Sequence, residues 1–190
     1  MSLFVDILFV IFVFAIVTQL FYALFFFIRL SFYKEKLNPF NKGVSVILCA
    51  KDEADMLSAN LPSFLEQDYP EYEVIVVDDQ SVDGTKYLLK DLEKKYFNLK
   101  VVTIDPHVIS RIGKKFPLSI GIKTAKYDYV LLTDADCKAY SKNWINKMTS
   151  SFESKEIVLG ISPHKKTKGI LNKFIRFDEF IVMLQYLSYA

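Results

Sequence analysis

Residues 7–28 read ILFVIFVFAIVTQLFYALFFFI, with Thr18 and Gln19 the obvious polar members. At ~1.5 Å rise per residue a helix of this length spans about 33 Å, enough to cross a hydrocarbon core. A core helix of a soluble domain is rarely apolar on every face for so long. A cleaved signal peptide would begin with basic residues and end at small ones. Here no Lys or Arg precedes Arg29, and Phe, Ile and Arg stand where small residues would be. Residues 1–30 are therefore expected to form a retained, single-pass transmembrane anchor. Asp6 precedes the span, and Arg29, Lys34, Lys36 and Lys42 follow it. Basic flanks stay cytoplasmic, so the N-terminus is expected outside the inner membrane and the rest of the chain in the cytosol.

Residues 31–43 contain Asn38-Pro39-Phe40-Asn41-Lys42-Gly43 and read as a juxtamembrane linker broken by Pro and Gly. From Val44 the pattern changes. Val44–Ala50, Glu73–Val77, Leu99–Ile104 and Tyr129–Leu132 are short β-branched or apolar runs of strand length. Between them, Asp55–Gln67 carries Leu57, Leu61, Phe64 and Leu65 at helical spacing, with Pro62 expected to kink or split it. Thr85–Tyr96 is amphipathic through Leu88, Leu89, Leu92 and Tyr96. Pro117 is expected to open a further helix that turns Leu118, Ile122 and Ala125 inward. Strands alternating with helices predict an α/β fold, a mainly parallel sheet with helices on both faces.

In such sheets ligands bind beyond the carboxyl ends of the strands. Those ends carry Lys51-Asp52-Glu53, then Asp78-Asp79-Gln80-Ser81-Val82-Asp83-Gly84-Thr85, then Thr133-Asp134-Ala135-Asp136-Cys137. Any one acidic turn is weak evidence, because Asp is favoured in turns. Three on one edge would repel one another and recruit cations or hydrogen-bond donors. Asp134 and Asp136 are hard oxygen ligands that suit Mg²⁺ or Mn²⁺ with bound phosphates.

Composition narrows the classes. A hydrophobic content of 52% rules out a disordered chain. The 24 basic residues against 22 acidic ones argue against a generic nucleic-acid binder. Cys49 and Cys137 form no CxxC, so a disulfide scaffold or zinc cluster is not expected. Neither GxGxxG nor GxxxxGK[ST] occurs.

The segments VSVILCAKDEA, YPEYEVIVVDDQSVDGT and GKKFPLSIGIKTAKYDYVLLTDADC resemble, in order, the nucleotide-sugar half of glycosyltransferase family 2, which has the GT-A fold. The resemblance implies that residues 44–160 bind a nucleotide sugar, with a UDP-linked donor expected. It places Ala50 and Glu53 at the base and ribose, and Asp79 as acceptor from the uracil imide. Asp78 is expected to shape the turn. Lys114 or Lys115 would lie near the nucleotide. Asp134 would touch ribose or metal, and Asp136 the metal on the diphosphate. Lys51-Asp52 departs from the family pattern, which leaves the contact made by Asp52 open.

The implied reaction is inverting, metal-dependent transfer of the sugar to a glycan or lipid-linked acceptor in cell-envelope polysaccharide synthesis. It needs a carboxylate general base, which the family supplies downstream of Asp136. Asp178-Glu179 sits in an apolar, helical-looking stretch and does not qualify. The expectation is the N-terminal portion of a longer enzyme. A catalytically incompetent nucleotide-binding membrane protein stays open, and a nucleotidyltransferase is the third reading.

Residues 161–190 hold Lys165, Lys166, Lys168, Lys173 and Arg176 and then FIRFDEFIVMLQYLSYA. They are expected to begin an acceptor-side or membrane-proximal region. One reading is a helix on an anionic leaflet; the other is a helix packed on a further part of the protein. His107 and His164 look like isolated surface residues, and Trp144 like a helix-packing residue.

Overall fold

The apolar runs form four parallel strands: β1 (Val44–Ala50), β2 (Tyr72–Asp78), β3 (Leu99–Thr103) and β4 (Tyr129–Asp134). Their order in the sheet is β3–β2–β1–β4. The computed structural model describes residues 2–28, 32, 38–105 and 113–189. Arg29, Lys34, Lys36 and His107 lie outside the described residues. The chain divides into two units, residues 37–159 and residues 1–36 with 160–190.

In the first unit, side-chain alternation along the central strands fills two cores. Val44, Val46, Leu48 and Ala50 of β1, with Val74 and Val76 of β2, meet Leu57, Leu61 and Phe64 of α2 (Ala54–Leu65) and Leu89 of α3 (Thr85–Lys95). On the other face Ile47, Ile75, Val77 and Ile104 meet Phe116, Leu118 and Ile120 of α4 (Lys115–Thr124). Each large aliphatic side chain so buried contributes about 1.5–3 kcal/mol. Coverage thins at the edge strand β4, where Leu132 is 50% exposed. The expected two-sided cover is thus complete only over the central strands.

Three expectations need correction. Pro62 does not split its helix: α2 runs through it to Leu65, and the Glu66 amide donates to the Pro62 carbonyl. The proline sits in the last turn, so little helix follows it to be disturbed. Pro117 is the third residue of α4, not the first, because Lys115 and Phe116 already belong to the helix. Proline is tolerated throughout a first turn, whose N–H groups have no intrahelical partner. The inward face of α4 is also composed differently: Leu118 and Ala125 pack on the core as expected, Pro117 and Gly121 are buried, and Ile122 is exposed instead of inward. A Cβ on Gly121 would lie 2.5 Å from Ile47 Cγ2, so the helix approaches β1 through the missing side chain.

α5 (Trp144–Thr149) is pinned to α2 by Gln67. Its amide donates to the carbonyls of Ser63 (2.7 Å) and Ser141 (2.9 Å), and its oxygen accepts from the Ile145 amide (3.2 Å). Trp144 packs edge-on against Phe64, a packing role as expected.

The second unit contains α1 (Ser2–Tyr22), continued by a π-helical turn at Ala23–Phe27, and α6 (Ile170–Tyr189). Leu3–Phe25 is long and apolar enough to cross a membrane, and none of it is buried within the protein. Before α6 the chain folds back on the helix. Asn172 accepts from the Thr167 amide and donates to the Lys165 carbonyl. His164 pairs with Glu179 through its ring, and its amide donates to the same carboxylate. His164 is therefore not isolated, because the fold-back brings it beside a carboxylate 15 positions later.

Candidate active site

Strand register decides whether the acidic turns meet. Cys49 pairs with Val77 on one side and Asp134 on the other, and Ala50 pairs with Asp78. The carboxyl ends of β2, β1 and β4 are thus level, and Asp79 and Asp134 flank β1 at one rim. Two strand spacings separate their backbones, roughly 10 Å. Asp134 is the last residue of β4, which runs two residues past the Leu132 end expected from the sequence. The strand is longer because its partner β1 continues to Ala50.

Ala50 is buried, and its carbonyl accepts from the Asp79 amide at 2.9 Å. Asp78 is buried and accepts from the Ser81 amide at 3.1 Å, the turn-shaping role expected of it. Asp79 Oδ1 is buried with no hydrogen-bond partner. A buried acceptor left unsatisfied costs about 1–3 kcal/mol, which a ligand N–H aimed at it would recover. Lys114, at the N-terminal cap of α4, forms an ion pair with Asp134. Lys115 begins the helix and is exposed.

Cys49 lies among these groups. Burial pushes its thiol pKa up, the Lys114 ammonium pulls it back, and the Asp134 and Asp79 carboxylates raise it again. One side chain therefore senses Asp79, Asp134 and Lys114 together. Neither Cys49 nor Cys137 is in a disulfide.

Asp136 is exposed, two residues beyond β4, within a turn closed by the Cys137 amide on the Asp134 carbonyl (3.1 Å). Asn60 of α2 grips that turn, donating to the carbonyls of Ala135 (3.3 Å) and Asp136 (3.2 Å). Ser63 Oγ accepts from the Ala139 amide (3.0 Å). Among the described residues no three His, Cys, Asp or Glu side chains form a ready cation cage. Mg²⁺ and Mn²⁺ do not require one, since one or two carboxylates plus substrate phosphates suffice. Exposed Asp134 and Asp136 fit that mode.

Glu53 is half-buried at the N-terminal cap of α2, and its amide donates to Thr85 Oγ1 at 3.0 Å. Its neighbours are tied to the loop after β2. The amides of Asp52 and Ala54 donate to Ser81 Oγ (2.9 Å) and Asp83 Oδ2 (3.2 Å). The amides of Val82 (2.7 Å) and Asp83 (3.3 Å) donate back to Asp52 Oδ1. Asp83 also accepts from the Thr85 amide at 2.9 Å, so it serves the N-termini of both α2 and α3. Hydrogen bonds from Thr85 hold the Asp83 carboxyl below its ordinary pKa. Cys49 and Asn60 were not singled out from sequence as site residues, and Ser81, Asp83 and Thr85 were named only as members of the run after β2. Asp83-Gly84-Thr85 does carry a helix-start signal, but that signal does not say which second helix Asp83 serves.

The family model for glycosyl transferase family 2 matches residues 45–180. The chain belongs to that family. Among curated relatives, the poly-β-1,6-N-acetyl-D-glucosamine synthase of Staphylococcus epidermidis is 35% identical over 117 residues, 55% of this chain and 27% of the relative. The poly(ribitol-phosphate) β-glucosyltransferase of Bacillus spizizenii is 32% identical over 130 residues, 67% of this chain and 19% of the relative. The chain thus spans 27% of the length of the first relative and 19% of the second. Among solved structures, a Pyrobaculum calidifontis mannosyltransferase in complex with GDP-Man and Mn²⁺ has a TM-score of 0.61 at 25% identity, covering 76% of this chain and 43% of that one. S. aureus TarS in complex with UDP-GlcNAc has a TM-score of 0.51 at 28% identity, covering 58% of this chain and 31% of that one. The parallel sheet and its cover are those of the GT-A fold that the resemblance implied.

Proposed function

We propose that this chain is the donor-binding portion of a membrane-anchored, inverting glycosyltransferase that takes a UDP-linked sugar, with Mg²⁺ or Mn²⁺, on the cytosolic side. The acceptor is a glycan or lipid-linked glycan of the cell envelope. One observation carries the reading: Asp79, whose buried Oδ1 is unsatisfied, stands at the same strand-end rim as Asp134 and Asp136. The nucleotide sugars and Mn²⁺ bound by structural neighbours support it, as do the poly-β-1,6-N-acetyl-D-glucosamine synthase and the poly(ribitol-phosphate) β-glucosyltransferase among the curated relatives.

Asp79 accepts the N–H of the uracil imide, recovering its lost hydrogen bond. Cytosine presents no such donor and is rejected. Ala50 and Glu53 line the base and ribose. Lys114 leaves Asp134 for the diphosphate, and Asp134 turns to the ribose or the metal. Asp136, its backbone held by Asn60, meets the cation. When bound, the metal offsets the charge of the departing diphosphate as a Lewis acid. Inversion requires a carboxylate base on the acceptor side. Glu179 is engaged by His164, and Asp178 lies in the same helix α6, so neither is assigned that role.

The polar side of α6 carries the fold-back at Asn172 and Glu179, while Ile170, Leu171, Phe174 and Phe177 are exposed. With Lys165, Lys166 and Lys168 alongside, this part of the chain lies against an anionic leaflet.

Titration calorimetry of the full chain in detergent tests the donor reading. UDP with Mn²⁺ binds, CDP binds at least tenfold more weakly, and Asp136→Ala abolishes the metal-dependent part. Equal affinity for UDP and CDP, or unchanged metal dependence in Asp136→Ala, defeats it. UDP binding without sugar transfer to added acceptor marks a nucleotide-binding portion that does not turn over alone.

A further inference from the structure

We propose that Asp52 is a positioning residue of the donor site, which clasps the loop after β2 to the loop after β1 and thereby aims Asp79. The inference rests on the donor reading of Asp79 above. Asp52 stands at φ 55°, in the left-handed region. Non-glycine residues avoid that region, and Asp and Asn tolerate it best because a short polar side chain bonds nearby backbone. That is what Asp52 does. The turn at φ 55° brings its carboxylate over the Val82 and Asp83 amides, both of which donate to one oxygen.

The clasp is reciprocal. Three consecutive amides, those of Asp52, Glu53 and Ala54, donate across to side chains of Ser81, Thr85 and Asp83. Two amides from the other loop donate back to Asp52. Asp79 and Gln80 are the residues between the end of β2 and this clasp. At one end the Asp79 amide is fixed to the Ala50 carbonyl, and at the other the Ser81 amide is fixed to Asp78. Gln80 takes its own left-handed turn at φ 60° between them. Asp79 Oδ1 has no hydrogen bond to hold it, so its aim is inherited from this backbone. Loosening residues 81–83 frees the far end of the span that orients it. One oxygen of the Asp52 carboxylate is committed to the loop amides, so in this proposal Asp52 acts on the nucleotide through the loop and Asp79.

Two variants separate the effects. Asp52→Gly keeps the left-handed backbone without strain and removes the acceptor. Asp52→Asn keeps both a carbonyl acceptor and tolerance of φ 55° but removes the charge. Two readouts are taken on the full chain in detergent: amide hydrogen exchange at Val82 and Asp83 without nucleotide, and UDP affinity at saturating Mn²⁺. Loss of two hydrogen bonds in Asp52→Gly speeds exchange at both amides about tenfold or more and weakens UDP by a similar factor. Asp52→Asn stays within about threefold of the parent in both, since the acceptor persists. Faster exchange in Asp52→Gly with unchanged UDP affinity overturns the proposal, because the clasp then does not aim Asp79. Weaker UDP binding with unchanged exchange also overturns it, in favour of direct contact. So does an Asp52→Asn variant that loses UDP as Asp52→Gly does, which would assign the effect to charge. If the parent chain binds no UDP, the donor reading fails, and unchanged exchange in Asp52→Gly then defeats the clasp separately.

Discussion

Gly121→Ala tests how α4 is seated, and with it how Lys114 reaches the rim. The added Cβ would lie 2.5 Å from Ile47 Cγ2 and 3.2 Å from Val77 Cγ2. Carbon atoms rest at about 3.5–4.0 Å, so roughly 1 Å of overlap with Ile47 must be relieved. Ile47 is fully buried and branched at Cβ, which restricts the rotamers open to its methyl. The helix must therefore retreat from the sheet. Overpacking of this kind costs about 1–3 kcal/mol, while alanine's better helix propensity returns about 1 kcal/mol. A net destabilisation of about 1–2 kcal/mol is expected, near the upper part of that difference because Val77 closes the other side. Denaturant unfolding of the full chain in detergent reads it through Trp144, the single tryptophan, which is packed on Phe64 in the other core of the same unit. Retreat of α4 also carries Lys114 away from Asp134, so UDP–Mn²⁺ affinity falls as well. Gly84→Ala is the control. Its φ is −73°, and the nearest atom to an added Cβ is Ala54 Cβ at 3.8 Å. Chain-entropy gain and a poorer helix cap offset one another there, within about 0.5 kcal/mol. A Gly121→Ala chain as stable as the parent, or more so, would refute the close seating of α4 on Ile47.

Three further outcomes are expected. Asp83 has a lowered pKa in the fold, so its contribution is fully present above the ordinary carboxyl value of 3.8 and is lost as pH falls through the lower folded value; acid unfolding of Asp83→Asn should lack that loss, and an unaltered acid limb would contradict the two-helix role of Asp83. The Cys49 thiol is held above its ordinary value by burial, against the pull of Lys114, so iodoacetamide at pH 8 should modify it more slowly than in the unfolded chain. Lys114→Ala should slow it further, and acceleration would contradict the shared environment. Asn60→Ala removes two hydrogen bonds worth about 0.5–1.5 kcal/mol each from the Ala135–Asp136 turn; Mn²⁺-dependent UDP binding should weaken several-fold with UDP binding in the absence of metal unchanged, and equal loss in both would make Asn60 merely structural.

Sequence alone determined the strands, because Val44–Ala50 and the Val74–Val77 stretch of Tyr72–Asp78 are apolar enough to require burial on both faces. It likewise determined the apolar helix at the N-terminus and the approximate positions of α2, α3 and α4. These are local properties: periodicity, branching at Cβ and the length of an apolar run act within one segment. Proline positions were legible as constraints but not as outcomes, since whether Pro62 or Pro117 interrupts a helix depends on which turn it occupies.

Only the tertiary structure decided that the acidic turns share a rim. The pairing of Cys49 with both Val77 and Asp134 joins three segments distant in sequence, and no local pattern encodes that register. The same holds for Asp52, whose carboxylate reads as a surface charge until the left-handed turn carries it to amides some thirty positions away. Asn60 and Gly121 were silent for the same reason. An amide that grips another segment's carbonyls, and a missing methyl that admits a helix to a sheet, acquire meaning only from what packs against them.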